Sequence, residues 1–433
     1  MIAHIDVNSF YASCEQVFRP DLWEKPVVVL SNNDGCIIAL NAQAKAQGIK
    51  MGRPMHEQWE EVRKKKIHVF SSNYALYGDM SQRVMETIAT LTPALEVYSI
   101  DEAFCEVPEG IQDLDAYGRD VHNRIHQWTG LPVCVGMGPS KALAKVANRM
   151  AKSGAGSSPR VCPIDSDVTR KALLQRCDIE DVWGIGRKHA QRLRQRKVTN
   201  AWEFTQLSDA WVQKHLTVVG LRLKRELEGT PQLKLEESPA AKKMIGTAKS
   251  FGHNLDDPGL MQEALAWYVS EVAQKLREQN RLACRLTVFV ETNRFRKDRP
   301  QYCNQISQRL PIPTQDSRQL VQVASTMLDH LYRPGFLYKK VGVWASELVV
   351  PSFTQLHLFE PPKKQQSSAL MGIMDQVNSR YGKAKLRVAR SGYRRAEWKL
   401  KQEYCSPRFT TQLSEIMTIR GNTVSSKYLS HDS

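Results

Sequence analysis

The chain opens with Met1-Ile-Ala-His-Ile-Asp-Val-Asn-Ser-Phe-Tyr11, and a second acidic segment, Tyr98-Ser-Ile-Asp-Glu-Ala-Phe104, follows later in the sequence. In both segments the acids lie at the polar end of a short apolar run, where a buried strand would reach the surface. These acids are Asp6 in the first segment and Asp101 and Glu102 in the second. If the two strands are neighbours, three carboxylates converge at one edge of a sheet.

Such a carboxylate cluster repels itself unless cations neutralise it, and hard oxygen ligands favour Mg²⁺. Two Mg²⁺ ions about 3.5–4 Å apart are the usual apparatus for phosphoryl transfer, so the three acids predict a chain that acts on nucleotides. Taken singly, each acid is more often a helix cap or a solvated turn residue. The neighbouring residues therefore have to decide between the two interpretations.

Composition and charge favour a cytosolic protein with a polyanionic partner. The 433 residues suggest three or four domains, and 42% apolar with 24% charged residues is ordinary for a globular protein. The sequence has no apolar run of the about 18 residues that span a membrane, and no signal peptide is expected. Nine cysteines without a Cys-x-x-Cys pair disfavour a zinc ribbon and fit reduced thiols. The net charge of +16 suits nucleic acid, although a basic protein without such a partner is the alternative.

The first ~165 residues predict an α/β region. Short β-rich runs occur at Met1–Val7, Val27–Leu30, Leu95–Ile100 and Pro132–Gly138, and helical patterns at Ser81–Leu91 and Lys141–Met150. Ser140 is the expected N-cap of the second helix.

Residues 166–233 predict a small helical domain with two glycine turns, each followed by a basic helix. Gly184 and Gly186 precede Arg187 and Lys188, and Gly220 precedes a second basic run. Glycines let a backbone approach a phosphate at a helix N-terminus, which is the logic of helix-hairpin-helix DNA binding. Two ordinary turns between helices are the alternative.

After a polar linker at 236–243, residues 244–350 show a strand-helix-strand-strand-helix-strand pattern, which predicts a ferredoxin-like domain. Its basic residues suit a DNA backbone, although a solvated polar face is an equally good interpretation. They are Arg281, Arg285, Arg294, Arg296, Lys297 and Arg299. Farther on, Gln355-Leu-His-Leu-Phe359 stands alone before Pro361-Pro-Lys-Lys and reads as a docking peptide or as a terminal strand.

Over nearly its whole length the chain resembles the Y-family translesion DNA polymerases, most closely the UmuC-type branch. The resemblance is carried by five segments: Asp6-Val-Asn-Ser-Phe-Tyr-Ala-Ser-Cys-Glu15, Lys25-Pro-Val-Val-Val29, Ser31-Asn-Asn-Asp-Gly-Cys36, Tyr98-Ser-Ile-Asp-Glu-Ala-Phe104 and Gly136-Met-Gly-Pro-Ser-Lys-Ala-Leu-Ala-Lys145.

The resemblance implies a right-hand architecture. The palm would be residues 1–13 and 72–165, the fingers 14–71, and the helix-hairpin-helix thumb 166–233. Residues 244–350 would form the ferredoxin-like little finger, and 351–433 a C-terminal tail.

The resemblance also implies roles for individual residues. Asp6, Asp101 and Glu102 would bind two Mg²⁺ ions, with the carbonyl of Val7 as a further ligand. Tyr11 matches the steric-gate position, where an aromatic ring collides with a ribose 2′-OH. Lys45 and Lys152 match contacts to the incoming triphosphate. Where many relatives have Tyr and Arg, this chain has Ala42 and Lys45, and Asn8 replaces an acid found in some of them.

The resemblance further implies the partners of the chain. These would be primer-template DNA, deoxynucleoside triphosphates and a bacterial sliding clamp, the last bound through Gln355, Leu356, Leu358 and Phe359. The basic tail from Lys383 onward resembles a region that engages a UmuD-type dimer, and a recombinase filament would activate the polymerase. The expected location is the bacterial cytoplasm, at the nucleoid.

The expected reaction is error-prone, template-directed addition of deoxynucleotides past damaged bases during SOS damage tolerance. Three other functions are the alternatives. A non-catalytic relative would lack the acids, and a nucleotide cyclase would lack the thumb and the clamp peptide. A DNA-binding adaptor would bind DNA equally well without Mg²⁺ or nucleotide.

Overall fold

A computed structural model describes residues 1–238, 241–351, 364–382, 384–392 and 398–416 of the chain. The described residues form two compact units. The first contains residues 1–31, 36–238 and 404–416, and the second contains 32–35, 241–351, 364–382, 384–392 and 398–403. The division into palm, fingers, thumb and little finger stays a prediction.

The chain alternates strands and helices in its first part and is helical in its middle. The strands are β1 (Ile2–Val7), β2 (Val27–Leu30), β3 (Ile37–Leu40), β4 (His68–Ser71), β5 (Leu95–Val97), β6 (Glu102–Glu106), β7 (Val133–Gly138), β8 (Val161–Pro163), β9 (Met244–Leu255), β10 (Leu282–Thr292), β11 (Cys303–Thr314) and β12 (Tyr338–Val349). The helices are α1 (Phe10–Val17), α2 (Ala42–Ala46), α3 (Met55–Lys64), α4 (Tyr74–Ala89), α5 (Leu114–Thr129), α6 (Lys141–Lys152), α7 (Asp167–Arg176), α8 (Arg187–Gln195), α9 (Ala201–Thr205), α10 (Asp209–Glu228), α11 (Pro258–Glu278), α12 (Ser317–Leu331) and α13 (Lys364–Tyr381).

The main sheet of the first unit has the order β5-β6-β1-β7-β8, with β1 at its centre. Five of the six residues of β1 are buried, as its run of apolar residues predicts for a central strand. Helix α6 packs closely on this sheet because Gly136 has no side chain there: a Cβ would lie 2.0 Å from the backbone nitrogen of Asn148. The Asn148 amide fixes the helix by donating to the carbonyls of His4 and Cys134, at 3.0 and 2.7 Å.

A second sheet of the first unit, β3-β2-β4, supports α2 and α3 over a small core that includes Val28, Leu30 and Ile37. Strand β2 has the bounds that the sequence predicts, Val27–Leu30. Two other bounds were wrong. The strand predicted at Leu95–Ile100 ends at Val97, because the backbone N–H groups of Tyr98 and Ser99 turn back to the carbonyl of Glu102. Helix α4 begins at Tyr74 rather than Ser81.

The helical region α7–α10 contains both predicted glycine segments, but only the first is a turn. Gly184 has a φ of +89°, and Gly186 is the N-cap of α8. The turn predicted at Gly220 is displaced: the break in α10 is at Thr217, with φ 64°, and Gly220 itself is helical and buried. A Cβ on Gly220 would lie 2.3 Å from the Leu216 Cβ, so this glycine allows the close approach across the break.

The second unit contains a four-stranded antiparallel sheet of order β11-β10-β12-β9. Helices α11 and α12 each connect two strands that are separated by one other strand, which is the split β-α-β arrangement expected from the sequence. The alternating residues Leu286, Val288 and Val290 of β10 are fully buried in its core. The predicted fold class, α/β with several domains and a ferredoxin-like unit, is confirmed.

The described C-terminal residues are divided between the two units. Helix α13 is joined to α11 by the ion pair of Asp375 with Arg277, at 2.5 Å, and Trp398 packs on Trp267 and Tyr268. Residues 404–416 belong to the first unit. All nine cysteines carry free thiols. Among the described residues, no helix has the length and apolarity needed to cross a membrane.

Candidate active site

The pairing of β1 with β6 brings the predicted acids together. The strands are antiparallel neighbours, and Asp6 lies directly opposite Glu102. The backbone N–H of Val7 donates to the carbonyl of Asp101 at 2.9 Å, so the third acid lies at the same end of the sheet. The sequence predicts convergence of the three acids only if the two strands are neighbours, and this adjacency is confirmed.

Each of the two facing carboxylates lies beside an ammonium group from α6. The Lys152 Nζ lies 2.5 Å from Asp6 Oδ1, and the Lys145 Nζ donates to Glu102 Oε2 at 2.9 Å. The Asp101 carboxylate accepts instead from the hydroxyl of Ser99, at 2.7 Å. Helix α6 is thus the element that supplies positive charge to the acid pair.

The surroundings push the pKa values of the two facing acids apart. Burial raises the pKa of Asp6 to about 7, against the opposing effect of Lys152 and with a contribution from the Glu102 charge. The His4 ring, 3.9 Å away, and the Lys145 ammonium hold the pKa of Glu102 well below its usual range, despite partial burial. Burial lowers the pKa of His4 itself.

The donor atoms fit Mg²⁺, because Asp6 and Glu102 offer adjacent carboxylate oxygens that already attract cations. Within the described parts of the chain, however, no set of three or more His, Cys, Asp or Glu side chains is grouped closely enough to hold a metal ion. The Asp101 side chain would have to leave Ser99 to complete such a set. The metal ligands, including the Val7 carbonyl, therefore stay a prediction.

Tyr11 belongs to a cluster of three tyrosines that sequence reasoning missed. Its ring stacks on Tyr77, with ring centres 4.5 Å apart and planes at 17°, and meets Tyr74 edge to face at 6.1 Å. Burial raises the pKa of Tyr11, with smaller contributions from Tyr74 and Asp101. The i, i+3 spacing of Tyr74 and Tyr77 at the start of a helix was the available signal.

Lys145 was also missed as a functional candidate. Its Nζ lies over the rings of Tyr98, Trp183 and Phe104, at 4.3, 5.3 and 5.6 Å from the ring centres, while it bonds Glu102. The faces of aromatic rings attract a cation, so this cage of three rings helps to hold the ammonium group beside the carboxylate. Tyr98, Phe104 and Lys145 belong to the segments that carry the family resemblance, but no local pattern in the sequence indicates their contact with one another.

Apart from the buried Gly220, the remaining predicted site residues lie on the surface or outside the described residues. Lys45 is exposed on the last turn of α2, and Arg187 and Lys188 are exposed at the start of α8. Arg294 and Arg296 are exposed in the turn after β10, where Arg296 pairs with Asp298. The clamp peptide at 355–359 and Lys383 fall outside the described residues.

Comparison with known proteins gives matches along most of the chain. Residues 5–149 match the impB/mucB/samB family, and residues 242–358 match the C-terminal domain of that family. Residues 368–419 match a domain of unknown function. The UmuC protein of Salmonella typhimurium is 40% identical over 423 residues, which cover 97% of this chain and 100% of that protein.

More distant relatives extend the comparison. DNA polymerase IV of Bacillus velezensis is 24% identical and covers 89% of this chain and 92% of its own length. Among solved structures, a chimera of the Y-family DNA polymerases Dbh and Dpo4 superimposes with a TM-score of 0.64. It is 20% identical and covers 81% of this chain and 99% of its own, so it shows the shared fold. The two matched domains and the full-length identity agree with that fold, and the chain belongs to the impB/mucB/samB family of Y-family DNA polymerases.

Proposed function

We propose that this chain, an error-prone translesion DNA polymerase of SOS damage tolerance, adds deoxynucleotides to a primer 3′-OH at the edge of the main sheet where Asp6 faces Glu102. The observation that carries this assignment is the strand register, which sets two carboxylates side by side with an ammonium group next to each. Partly buried charges that lie this close together cost free energy of folding, and such clusters occur most often where they bind a cation or a phosphate.

Asp6, Asp101 and Glu102, with the Val7 carbonyl, would hold two Mg²⁺ ions. When bound, the ions lower the pKa of the 3′-OH and offset the charge that develops on the leaving pyrophosphate. The Ser99 hydroxyl holds the Asp101 carboxylate beside the strand end, and Asp101 would have to leave Ser99 in order to hold a metal ion. The Lys145 ammonium group, which donates to Glu102 at 2.9 Å, favours the ionised form of Glu102 that a metal ligand requires.

The lysines of α6 and α2 would bind the incoming triphosphate. Lys152 is half-exposed beside Asp6, so its ammonium group can turn from the carboxylate to a phosphate oxygen. A lysine acts there as a point charge and not as a bidentate fork, which leaves the triphosphate less rigidly held. Lys45, exposed on α2, would add a second positive charge. Tyr11 would exclude a ribose 2′-OH.

Primer extension with a matched pair of variants tests the site. We expect Glu102→Gln to abolish Mg²⁺-dependent extension past an abasic site, whereas Glu106→Gln, an exposed glutamate at the other end of the same strand, should retain it. A UmuD-type dimer, a recombinase filament and a sliding clamp would be present in both reactions. Equal extension by both variants would place the catalysis elsewhere. DNA binding without extension in the unaltered chain would favour a DNA-binding adaptor.

The clamp and tail partners are separate proposals. The peptide at 355–359 would place Leu358 and Phe359 in an apolar pocket of the sliding clamp, with Gln355 bonded at the rim. Replacing Leu358 and Phe359 by Ala should remove stimulation by the clamp and leave extension without it unchanged. The basic tail from Lys383 would engage the UmuD-type dimer. A pull-down of the chain with this dimer, in the absence of the other partners, checks the interaction.

A further inference from the structure

A continuous series of contacts leads from Tyr11 to the C-terminal part of the chain. The Tyr11 ring stacks on Tyr77, and the Tyr77 hydroxyl donates to Glu15 Oε1 at 2.6 Å. The hydroxyl of Ser406 donates to the same Glu15 oxygen at 3.1 Å. Residues nearly four hundred positions apart in sequence therefore meet at one carboxylate.

Glu15 is an ionisable residue in the interior of the first unit, where most side chains are apolar. It is fully buried, and its Oε2 has no hydrogen-bond partner within the described part of the chain. Burial raises its pKa to about 7, although the hydrogen bonds from Tyr77 and Ser406 oppose the rise. A buried carboxyl group costs stability, so a purely structural packing role would be served better by an apolar residue. What the carboxyl group adds is directional bonding to two hydroxyls.

The segment that carries Ser406 is attached to both helices of the tyrosine cluster. The Asn73 amide donates to the Ser406 carbonyl, the Ser406 hydroxyl and the Pro407 carbonyl, at 3.1, 3.0 and 3.2 Å. The same Asn73 caps α4, the helix of Tyr74 and Tyr77. Phe409 stacks on Phe18, the C-cap residue that follows α1, with ring centres 4.7 Å apart.

We propose that Tyr77, Glu15 and Ser406 are positioning residues that fix the Tyr11 ring, and that the C-terminal segment thereby sets the discrimination between deoxyribonucleotides and ribonucleotides. The proposal rests on the proposed steric-gate role of Tyr11. An aromatic ring excludes a 2′-OH only while it stays in place, because a ring that can shift gives way to the added oxygen atom and a ring held by its neighbours does not. It also assigns a role to part of the matched domain of unknown function, which spans residues 368–419.

The test measures kcat/KM for a deoxynucleotide and for the matching ribonucleotide on one undamaged template, with the full chain and its accessory proteins. Tyr77→Phe removes the hydrogen bond to Glu15, and Ser406→Ala removes both the bond to Glu15 and the bond accepted from Asn73. Each bond is worth about 0.5–1.5 kcal/mol, so we expect the discrimination ratio to fall roughly twofold to tenfold in Tyr77→Phe and at least as much in Ser406→Ala. Ser406→Thr keeps the hydroxyl and should restore the ratio. Ser414→Ala, an exposed serine of the same segment, is the control and should leave the ratio unchanged.

Tyr11→Ala separates the steric-gate role of Tyr11 from the positioning role of Tyr77, Glu15 and Ser406. If ribonucleotide use does not rise in Tyr11→Ala, the steric-gate role is wrong and this proposal falls with it. If it rises there but the ratio is unchanged in both Tyr77→Phe and Ser406→Ala, the steric gate stands and the positioning role is overturned. A loss of kcat/KM that is equal for both nucleotides in Ser406→Ala would show a merely structural role and would also overturn it.

Discussion

At the scale of single residues, Lys152 links the acid pair to the nucleotide. Its ammonium group lies 2.5 Å from Asp6, at the end of the helix that also carries Lys145. We expect Lys152→Ala to raise the KM for deoxynucleotides about tenfold or more, because a charge-assisted hydrogen bond to a phosphate is worth about 1.5–3 kcal/mol. Steady-state incorporation kinetics check this, with Lys64→Ala, an exposed lysine of α3, as the control. An unchanged KM would exclude Lys152 from triphosphate binding.

Glu15 gives a pH dependence whose sign follows from its surroundings. Its pKa is about 7 in the folded chain and about 4.5 when exposed, so the folded state keeps a proton that the unfolded state loses. The contribution of the protonated group to stability is fully present below about pH 4.5 and is lost as the pH rises through 7. Between these limits the loss amounts to about 3 kcal/mol.

Replacing Glu15 by Gln should remove that pH dependence. We expect urea midpoints of the two proteins to be similar near pH 5 and the Glu15→Gln midpoint to be the higher one at pH 8. Far-ultraviolet circular dichroism at the two pH values measures both midpoints under identical conditions. A difference between the proteins that does not change with pH would contradict the raised pKa.

At the scale of elements, the contact of α6 with the main sheet depends on a missing side chain. A Cβ at position 136 would lie 2.0 Å from the Asn148 nitrogen and 2.4 Å from the Ala144 carbonyl oxygen. Gly136→Ala should therefore push α6 off the sheet and cost at least about 3 kcal/mol, with loss of polymerase activity, because the clash is with backbone atoms. Gly78→Ala is the matched control: its Cβ would meet nothing within 4 Å, and helix propensity predicts a gain of about 0.5–1 kcal/mol. Thermal unfolding measures the change in stability of both variants. Equal changes in Gly136→Ala and Gly78→Ala would show that α6 does not need a glycine at position 136 to pack on the sheet.

The elements also show what a sequence can and cannot predict. The central strand and the capped helix α6 were predictable because each has a local signal: a run of apolar residues in one, and Ser140 before a helical pattern in the other. The break at Thr217 was not, since no residue there favours a positive φ and the nearby Gly220 attracted the prediction instead. The acids were found because they end apolar runs. Lys145 and Tyr77 were missed because their importance lies in tertiary contacts.

At the scale of the whole molecule, the least predictable feature is the course of residues 404–416. They form no strand and no long helix, so they have neither the period of 2 nor the period of 3.6 on which prediction depends. They are nevertheless integrated in the first unit: Tyr404 exchanges hydrogen bonds with Ser71 and lies against Trp59, and Phe409 lies on Phe18. A segment at the far end of the sequence thus completes a unit that begins at the first residue.

That integration predicts different effects for two truncations. Ending the chain after Glu403 removes two aromatic contacts and the acceptors of the Asn73 amide, which together should cost the first unit about 2–5 kcal/mol. Ending it after Ile416 keeps all of these contacts and should cost little. Hydrogen exchange read by mass spectrometry locates the effect: we expect faster exchange in α1 and α4 of the shorter protein only, and unchanged protection in β9–β12 of both. Faster exchange confined to β9–β12, or equal protection of α1 and α4 in the two proteins, would show that the C-terminal segment does not stabilise the first unit.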